Sequence, residues 1–298
     1  MKKLVALVLV ALCGSASAQQ VTYKGEQADF SVVAENPKVA VFDIAASETV
    51  HALGGKIVGA AKTALPEQLS AVIADEQVLD IGGLKNPDIQ KVKQAGPDLI
   101  IISGRQRSKV DSLSQIAPVL DASPDQSNYL TSLYDQVGQI AKVLGKTAEG
   151  EALIQELKKE VASMQESAAA YNQSDALMLM FINGRYVGFP KQSRFGFIHD
   201  VLGFPETGLK MDASARSNPL TDQQILAENP AYIFVFDRTQ LNGDSIADKE
   251  KIETDAIKQT DAYKNGRFVY LSPRLWYLIG SGVYSTPAMA KEVLSPLN

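Results

Sequence analysis

Two apolar segments that each follow a helix and a proline constrain the fold of this chain more than any other feature. Asp98-Leu99-Ile100-Ile101-Ile102 follows Gly96-Pro97, and Tyr232-Ile233-Phe234-Val235-Phe236 follows Asn229-Pro230. Proline disfavours helix at the residue before it, so at both places a helix ends and a strand begins. Apolar runs without alternation are typical of parallel strands covered on both faces. The pattern predicts α/β units in both halves of the chain.

Further segments extend this pattern. Lys38–Phe42 and Ile57–Ala60 have the length of strands, and Ser47–Gly54 between them has helical spacing with a terminal glycine. Two helical stretches, 127–144 and 147–170, lie between the halves and are separated by Gly145. The second stretch carries an apolar face formed by Leu153, Leu157, Val161 and Met164. A helix of about 24 residues is about 36 Å long and suits a rigid connection between two lobes.

The N-terminal residues predict export. Met1-Lys2-Lys3 is positively charged, Leu4–Leu12 is apolar, and Ala16-Ser17-Ala18 matches a signal-peptide cleavage site. The apolar run is shorter than the about 20 residues that span a bilayer. Cys13 raises the alternative of a lipoprotein, but the large Leu12 before it disfavours lipid attachment. We therefore expect a soluble protein in the periplasm, with a cleaved signal peptide.

Charge and residue content exclude several classes of function. The net charge is −5 without a basic block, which argues against nucleic-acid binding. Dinucleotide-binding, P-loop, serine-hydrolase and zinc-protease motifs are absent, and the one cysteine, Cys13, lies in the signal segment. The two histidines, His51 and His199, have apolar neighbours, and we expect both to be structural. The sequence therefore predicts a protein that is not an enzyme.

The candidate functional residues are arginines and a tyrosine near strand ends. Arg105 follows the first apolar strand after Ser103-Gly104, and Arg238 directly follows Phe234-Val235-Phe236-Asp237. Arg194 lies in a loop that enters a helix. Tyr277 follows the strand-like Phe268–Leu271 across a turn. Ligands of open α/β sheets bind beyond the carboxyl ends of the strands, where several arginines would converge on an anion. Taken singly, each arginine is better explained as a solvated surface charge, but three arginines at equivalent places in the two lobes favour a binding site.

Six sequence segments together carry a resemblance to a known family. They are residues 41–62, 102–106, 192–196, 199–203, 236–238 and 276–278. These segments resemble the periplasmic ferric-siderophore-binding proteins of ABC importers. The resemblance is closest to the subgroup for catecholate siderophores of the enterobactin type, and it covers nearly the whole mature chain. It implies an α/β fold of two Rossmann-like lobes bridged by one long α-helix, with the ligand in the cleft and no intrinsic cofactor.

The resulting domain boundaries are expectations as well. They place a signal peptide at 1–18, an N-terminal α/β lobe at 19–126, a helical connection at 127–170 and a C-terminal α/β lobe at 171–298.

The resemblance implies roles for individual residues. Arg105, Arg194 and Arg238 match arginines that surround the ferric catecholate, and Tyr277 matches a tyrosine whose phenolate can coordinate Fe(III). Such a complex carries about three net negative charges, and burying it requires cations that stay protonated. Arg216 stands where relatives that bind incompletely coordinated iron have a histidine ligand. We expect Arg216 to add a fourth positive charge to the cleft; alternatively, Tyr277 completes the iron sphere alone or with water.

The resemblance also implies an inner-membrane ABC permease as partner of a monomeric receptor. Family members usually present one acidic residue per lobe to the permease. Gln90 and Gln223 occupy the corresponding positions here, so Asp88 and Asp222 are the candidate substitutes, although both are equally compatible with helix capping. Two other functions stay open: a receptor for a mixed-ligand siderophore, haem or a corrinoid, and a periplasmic enzyme acting on an anionic substrate.

Overall fold

The computed structural model describes residues 21–24, 29–32, 36–125, 127–242 and 249–297. The expected signal peptide, 1–18, and Cys13 lie outside these residues. The strands are β1 (Val21–Lys24), β2 (Asp29–Val32), β3 (Lys38–Val41), β4 (Lys56–Ala60), β5 (Leu79–Asp80), β6 (Leu99–Ile102), β7 (Val119–Asp121), β8 (Ala176–Ile182), β9 (Arg185–Gly188), β10 (Asn218–Leu220), β11 (Tyr232–Asp237) and β12 (Phe268–Tyr270).

The helices of the described chain are short except for two in the middle. They are α1 (Ile44–Ala52), α2 (Ser70–Ala74), α3 (Ile89–Ala95), α4 (Val110–Ser114), α5 (Tyr129–Val143), α6 (Thr147–Ala168), α7 (Phe197–Asp200), α8 (Asp222–Glu228), α9 (Lys249–Ile252), α10 (Asp255–Lys258), α11 (Asp261–Lys264) and α12 (Ser285–Leu294). None of them is long and apolar enough to cross a membrane.

The first lobe is built on a sheet of five parallel strands in the order β5-β4-β3-β6-β7. The interior strand β6, which lies between β3 and β7, is completely buried, as its apolar run predicts. Leu99 and Ile101 pack into the core on one face of the sheet, and Ile100 and Ile102 pack into the core on the other face. Alternate side chains of one strand thus stabilise both layers of helices.

The second lobe contains a five-stranded sheet in the order β10-β9-β8-β11-β12. Strands β8, β11 and β12 are parallel, but β9 runs antiparallel to β8 and β10 antiparallel to β9. Asn183-Gly184 joins β8 to β9, with φ of 51° and 73°. Asn-Gly with positive φ at both positions is the signal of a two-residue hairpin turn. The sheet of this lobe is therefore mixed, and the dipeptide accounts for its antiparallel hairpin.

Helix α6 links the cores of the two lobes over its 22 residues. Leu153 near its start packs against the core of the first lobe, whereas Val161 and Ala168 belong to the core of the second. Helix α5 lies alongside, and a Cβ on Gly150 would stand only 2.2 Å from the Cβ of Ala141. The fold class predicted from the sequence is confirmed: two α/β lobes are joined by one long helix.

The C-terminal end of the chain returns to the first lobe. The carboxylate of Glu48, in α1, accepts the backbone N–H groups of Tyr284 (2.9 Å) and Ser285 (3.0 Å) and the hydroxyl of Ser285. The guanidinium of Arg274 donates to the carbonyls of Ala64 and Leu65, each at 3.2 Å. These contacts hold the segment before α12 against the first lobe.

Candidate functional site

A cavity of about 610 Å³ lies between the lobes. The carboxyl ends of β6 and β11 both open onto it, through Ser103-Gly104-Arg105 and through Arg238. Its side chains include four of the five predicted site residues, three arginines and one tyrosine. These are Arg105, Arg194, Arg238 and Tyr277.

Tyr277 lies on a π-helical turn, Arg274–Ile279, that follows β12. Its ring stacks on Phe195 with centroids 6.1 Å apart and 28° between the planes, and it contacts Phe236 at 6.5 Å. Phe195 and Phe236 are both buried, so the ring has a fixed wall behind it. The phenol is therefore presented to the cavity by packing rather than by a flexible loop.

Two guanidinium groups flank the phenol of Tyr277. The Cζ of Arg194 lies 4.5 Å and the Cζ of Arg238 4.7 Å from the centre of its ring. Desolvation raises the pKa of Tyr277, but the hydrogen bond from Arg238 and the charges of Arg194 and Arg238 outweigh it, and the net pKa is lower than that of an ordinary tyrosine. The site therefore lowers the cost of forming the phenolate, the form of tyrosine that binds Fe(III), relative to an ordinary tyrosine.

Arg105 reaches the same turn from the first lobe. It is the second residue of the 3₁₀ segment Gly104–Lys109 that follows β6, and the start of this segment is held by reciprocal hydrogen bonds between Ser103 and Gln106. Its Nη2 donates to the carbonyls of Tyr277 and Leu278, each at 3.0 Å, and Arg194 donates to the Tyr277 carbonyl at 3.1 Å. Cations from both lobes thus converge on one backbone segment.

The positive charge of these arginines is only partly neutralised within the site. Desolvation and the nearby charges of Arg105 and Arg238 lower the pKa of Arg194, while Tyr277 raises it. Asp43, the N-cap of α1, also lines the cavity and is buried. Burial raises the pKa of Asp43 to about 6, although Arg105 lowers it. The arrangement is suited to an anion that brings several negative charges.

Two further cations line the cavity, Lys85 and Arg107. Arg107 pairs with Asp121, its Nε lying 2.8 Å from the carboxylate. Sequence reasoning did not select Lys85, because it lies in the loop before α3 and follows no apolar strand directly. Only the packing of that loop beside the end of β6 brings Lys85 to the cavity.

Arg216 is placed differently from the expectation. It is exposed, in the segment between Met211 and β10, and it is absent from the residues that line the cavity. The antiparallel strand β10 carries this segment to the edge of the second sheet, away from the parallel strands whose ends form the cleft. The structure does not bring Arg216 together with Arg105, Arg194 and Arg238.

Neither histidine lines the cavity. His199 is buried, and its Nδ1 lies 2.9 Å from the carbonyl of Phe204. Burial lowers the pKa of His199, so the neutral imidazole is favoured. His51 lies in the last turn of α1 and is edge-on to Tyr284, with ring centroids 6.3 Å apart.

The two aspartates considered for docking are engaged at helix starts. Asp88 caps α3 and accepts the N–H groups of Gln90 and Lys91, each at 3.1 Å. Asp222 is the first residue of α8 and accepts the hydroxyl of Thr254 at 2.9 Å. Both side chains are half-buried.

Comparisons with known proteins find relatives that share this two-lobed architecture. The chain is 33% identical over 303 residues to the petrobactin-binding protein YclQ of Bacillus subtilis, covering 97% of this chain and 95% of YclQ. The crystal structure of YclQ superposes with a TM-score of 0.86 over 94% of this chain and 99% of the other.

Two further structures are similar. One is PiuA, an iron uptake ABC transporter substrate-binding protein of Streptococcus pneumoniae (28% identity, TM-score 0.84, covering 94% of this chain and 100% of the other). The other is VctP, a periplasmic catecholate-siderophore binding protein of Vibrio cholerae (26% identity, TM-score 0.82, covering 93% and 100%). Residues 39–275 match the periplasmic binding protein family model. The chain therefore belongs to the periplasmic binding protein family.

Proposed function

We propose that this protein captures a ferric siderophore of the catecholate type in the cleft between its lobes and delivers it to an inner-membrane ABC importer. One observation carries the proposal: in a cavity of about 610 Å³, arginines from both lobes converge on Tyr277, whose pKa is lowered. The similarity to YclQ and VctP, which bind petrobactin and a catecholate siderophore, supports the same class of ligand.

The charge of the ligand matches the cavity. A ferric tris-catecholate carries about three net negative charges, and removing it from water is costly unless cations compensate. Arg105, Arg194 and Arg238 supply three such cations, which stay protonated and offer planar sets of donors to the catecholate oxygens. Arg105 and Arg194, which now donate to the carbonyl of Tyr277, would turn toward the bound complex.

Tyr277 is proposed as a ligand to Fe(III) when the siderophore leaves a coordination position open. The lowered pKa of its phenol reduces the cost of losing the proton on binding. Arg216, which is exposed and is not among the residues that line the cavity, is left out of the proposed site. Among the described residues, no group of three or more His, Cys, Asp or Glu side chains is placed to hold a metal ion.

A titration of the mature protein with ferric complexes of bis- and tris-catecholate ligands tests this function. Trp276, the single tryptophan, is buried beside Tyr277 and reports binding by quenching of its fluorescence. We expect saturable nanomolar binding that Arg238→Gln weakens about tenfold to a hundredfold, since it removes a charged hydrogen-bond donor. Arg216→Gln is the matched control and should bind as the parent protein does.

The same titration distinguishes whether Tyr277 coordinates the iron directly or only lines the cavity. A charge-transfer band that shifts on binding, and no longer shifts in Tyr277→Phe, would assign direct coordination of iron. Absence of quenching with both complexes would refute the catecholate assignment and direct the search to hydroxamates, mixed chelates and haem.

Delivery and export complete the proposal. We propose that the signal peptide is cleaved after Ala18, and the mass of the mature protein from periplasmic extracts would verify this. We also propose that Asp88 and Asp222 are the residues presented to the permease. Charge reversal of both aspartates should abolish siderophore-dependent growth while leaving siderophore binding intact. Unchanged growth would restrict both residues to helix capping.

A further inference from the structure

The segment that carries Tyr277, residues 272–284, lies between β12 and α12 and packs against both lobes. We call it the tyrosine segment. Trp276 belongs to the core of the second lobe, and Tyr277 packs against that core. The next two residues, Leu278 and Ile279, pack against the core of the first lobe instead. The phenol of Tyr277 therefore lies where the chain passes from one lobe to the other.

Three sets of hydrogen bonds tie the tyrosine segment to the first lobe. Near its start, Arg274 donates to two carbonyls of the first lobe, and in its middle Arg105 donates to the carbonyls of Tyr277 and the next residue. At its end, Glu48 accepts hydrogen bonds from the start of α12. The proposed function turns Arg105 from these carbonyls toward the ligand. Of the three sets, those of Arg274 and Glu48 then remain to hold the segment.

Glu48 caps a helix that belongs to the opposite lobe. Its side chain is fully buried, and its carboxylate accepts the N–H groups of Tyr284 at 2.9 Å and Ser285 at 3.0 Å, together with the hydroxyl of Ser285. A helix leaves its first N–H groups without partners inside the helix, so these bonds satisfy the start of α12. Because α12 packs into the core of the second lobe, the contact joins the two lobes.

Gly282 makes the close approach of Glu48 possible. A Cβ at this position would stand 2.9 Å from the Cδ of Glu48 and closer still to its Oε2. The φ of Gly282 lies outside the left-handed region, so alanine would be excluded by this contact and not by the backbone conformation. The sequence thus keeps position 282 free of a side chain where the carboxylate needs the space.

Glu292, about two turns further along α12, holds the start of the same segment. Its carboxylate accepts the indole N–H of Trp276 at 2.9 Å and the backbone N–H of Ser272 at 3.0 Å. Helix α12 therefore spans two carboxylates that grip the tyrosine segment, Glu292 at its start and Glu48 at its end. The turn that carries Tyr277 is fixed from both sides.

We propose that Glu48 is a positioning residue for siderophore binding, which fixes Tyr277 against the first lobe without touching the ligand. Glu48 is not among the residues that line the cavity, whereas Gly280 and Ser281, which lie between Tyr277 and the contact with Glu48, are. A coordinating group must be held within about 0.5 Å of its productive position, so a loosened segment weakens coordination. This inference rests on the proposed function and adds to it a residue outside the cavity.

The length and the charge of residue 48 distinguish positioning from an electrostatic effect. Glu48→Asp keeps the charge but shortens the side chain by one methylene, so it no longer reaches both N–H groups. Glu48→Gln removes the charge but keeps the length and an oxygen acceptor for the same N–H groups. A purely electrostatic role predicts the opposite order, because loss of a negative charge would strengthen binding of an anionic complex.

A titration with the ferric complex of a bis-catecholate ligand, followed by Trp276 fluorescence and the charge-transfer band, tests the inference. We expect Glu48→Asp and Gly282→Ala each to weaken binding about tenfold and to reduce the shift of the band. Glu48→Gln should restore binding to within about twofold of the parent protein. Circular dichroism verifies that each variant is folded, and Gly282→Ala leaves the carboxylate itself in place.

The Tyr277→Phe background tests whether the effect passes through the phenol. If Glu48 positions Tyr277, Glu48→Asp should cost much less affinity in Tyr277→Phe than in the parent protein, since coupled residues are not additive. Glu228→Asp is the matched control and should bind as the parent does. Glu228 also accepts a backbone N–H, that of Gly208, and a Cβ on Gly208 would stand 2.9 Å from its Oε1, but neither residue lines the cavity.

Three results would overturn the positioning role of Glu48. They are parental affinity in either Glu48→Asp or Gly282→Ala, a loss in Glu48→Gln as large as that in Glu48→Asp, and an equal cost of Glu48→Asp with and without the phenol of Tyr277. Failure of the parent protein to bind the ferric complex would instead refute the proposed function.

Discussion

Glu48 offers a direct test of how the lobes are held together. Its side chain is 0% exposed, and its carboxylate receives three hydrogen bonds from Tyr284 and Ser285 at the start of α12. Burial nevertheless raises its pKa from 4.5 to about 7, since desolvation outweighs these donors. The folded protein therefore binds a proton here more tightly than the unfolded chain does.

The raised pKa of Glu48 determines in which direction, and by how much, the free energy of unfolding changes with pH. Stability from Glu48 is fully present below pH 4.5 and is lost as the pH rises through about 7. At 1.36 kcal/mol per pH unit, the loss amounts to about 3 kcal/mol over the whole range. Glu48→Gln mimics the protonated acid, because its amide can accept the two N–H groups and donate to the Ser285 hydroxyl.

Urea unfolding at pH 5, 6, 7 and 8, followed by Trp276 fluorescence, measures the effect. We expect Glu48→Gln to gain about 2–3 kcal/mol relative to the parent protein between pH 5 and pH 8. Asp43, whose pKa is also raised by burial, is present in both proteins, so its contribution largely cancels in the difference. Ser285→Ala should move the loss to higher pH, since it removes a donor that favours the carboxylate. A stability difference between Glu48→Gln and the parent protein that is constant from pH 5 to pH 8 would refute this reasoning.

Three further predictions concern the site and the core. Arg238→Gln should raise the pKa of Tyr277, because it removes a hydrogen bond and a nearby charge; titration of tyrosinate absorbance, with Tyr277→Phe as reference, detects this. Gly150→Ala should destabilise the protein by about 1–3 kcal/mol in thermal unfolding, since its new Cβ would stand 2.2 Å from that of Ala141. Burial lowers the pKa of His199, so on acidification below about pH 6.5 the unfolded chain binds this proton before the folded protein does, and the parent protein loses stability. His199→Gln removes this group and should therefore lose less stability than the parent protein over the same pH range.

Much of the fold could be predicted because strand and helix signals are local. The apolar run at β6 and the proline before it specify a buried strand whatever surrounds them, and the structure confirms Leu99–Ile102. The hairpin of β8 and β9 carried an equally local signal in Asn183-Gly184, which the sequence reasoning overlooked. Arg216 was assigned to the cleft by resemblance, and the edge position of β10 leaves it outside the cavity lining.

The sequence by itself determined the α/β alternation, the long helix and the choice of Arg105, Arg194, Arg238 and Tyr277 as candidates. These follow from residue type and short-range spacing. Only the tertiary structure decided that Arg194 and Arg238 lie over the ring of Tyr277, that Lys85 reaches the same cavity, and that the buried Oε1 of Gln136 has no donor among the described residues. The reason is physical: pKa values and unsatisfied hydrogen bonds depend on distance and solvent exposure among residues far apart in the chain, and packing alone fixes those.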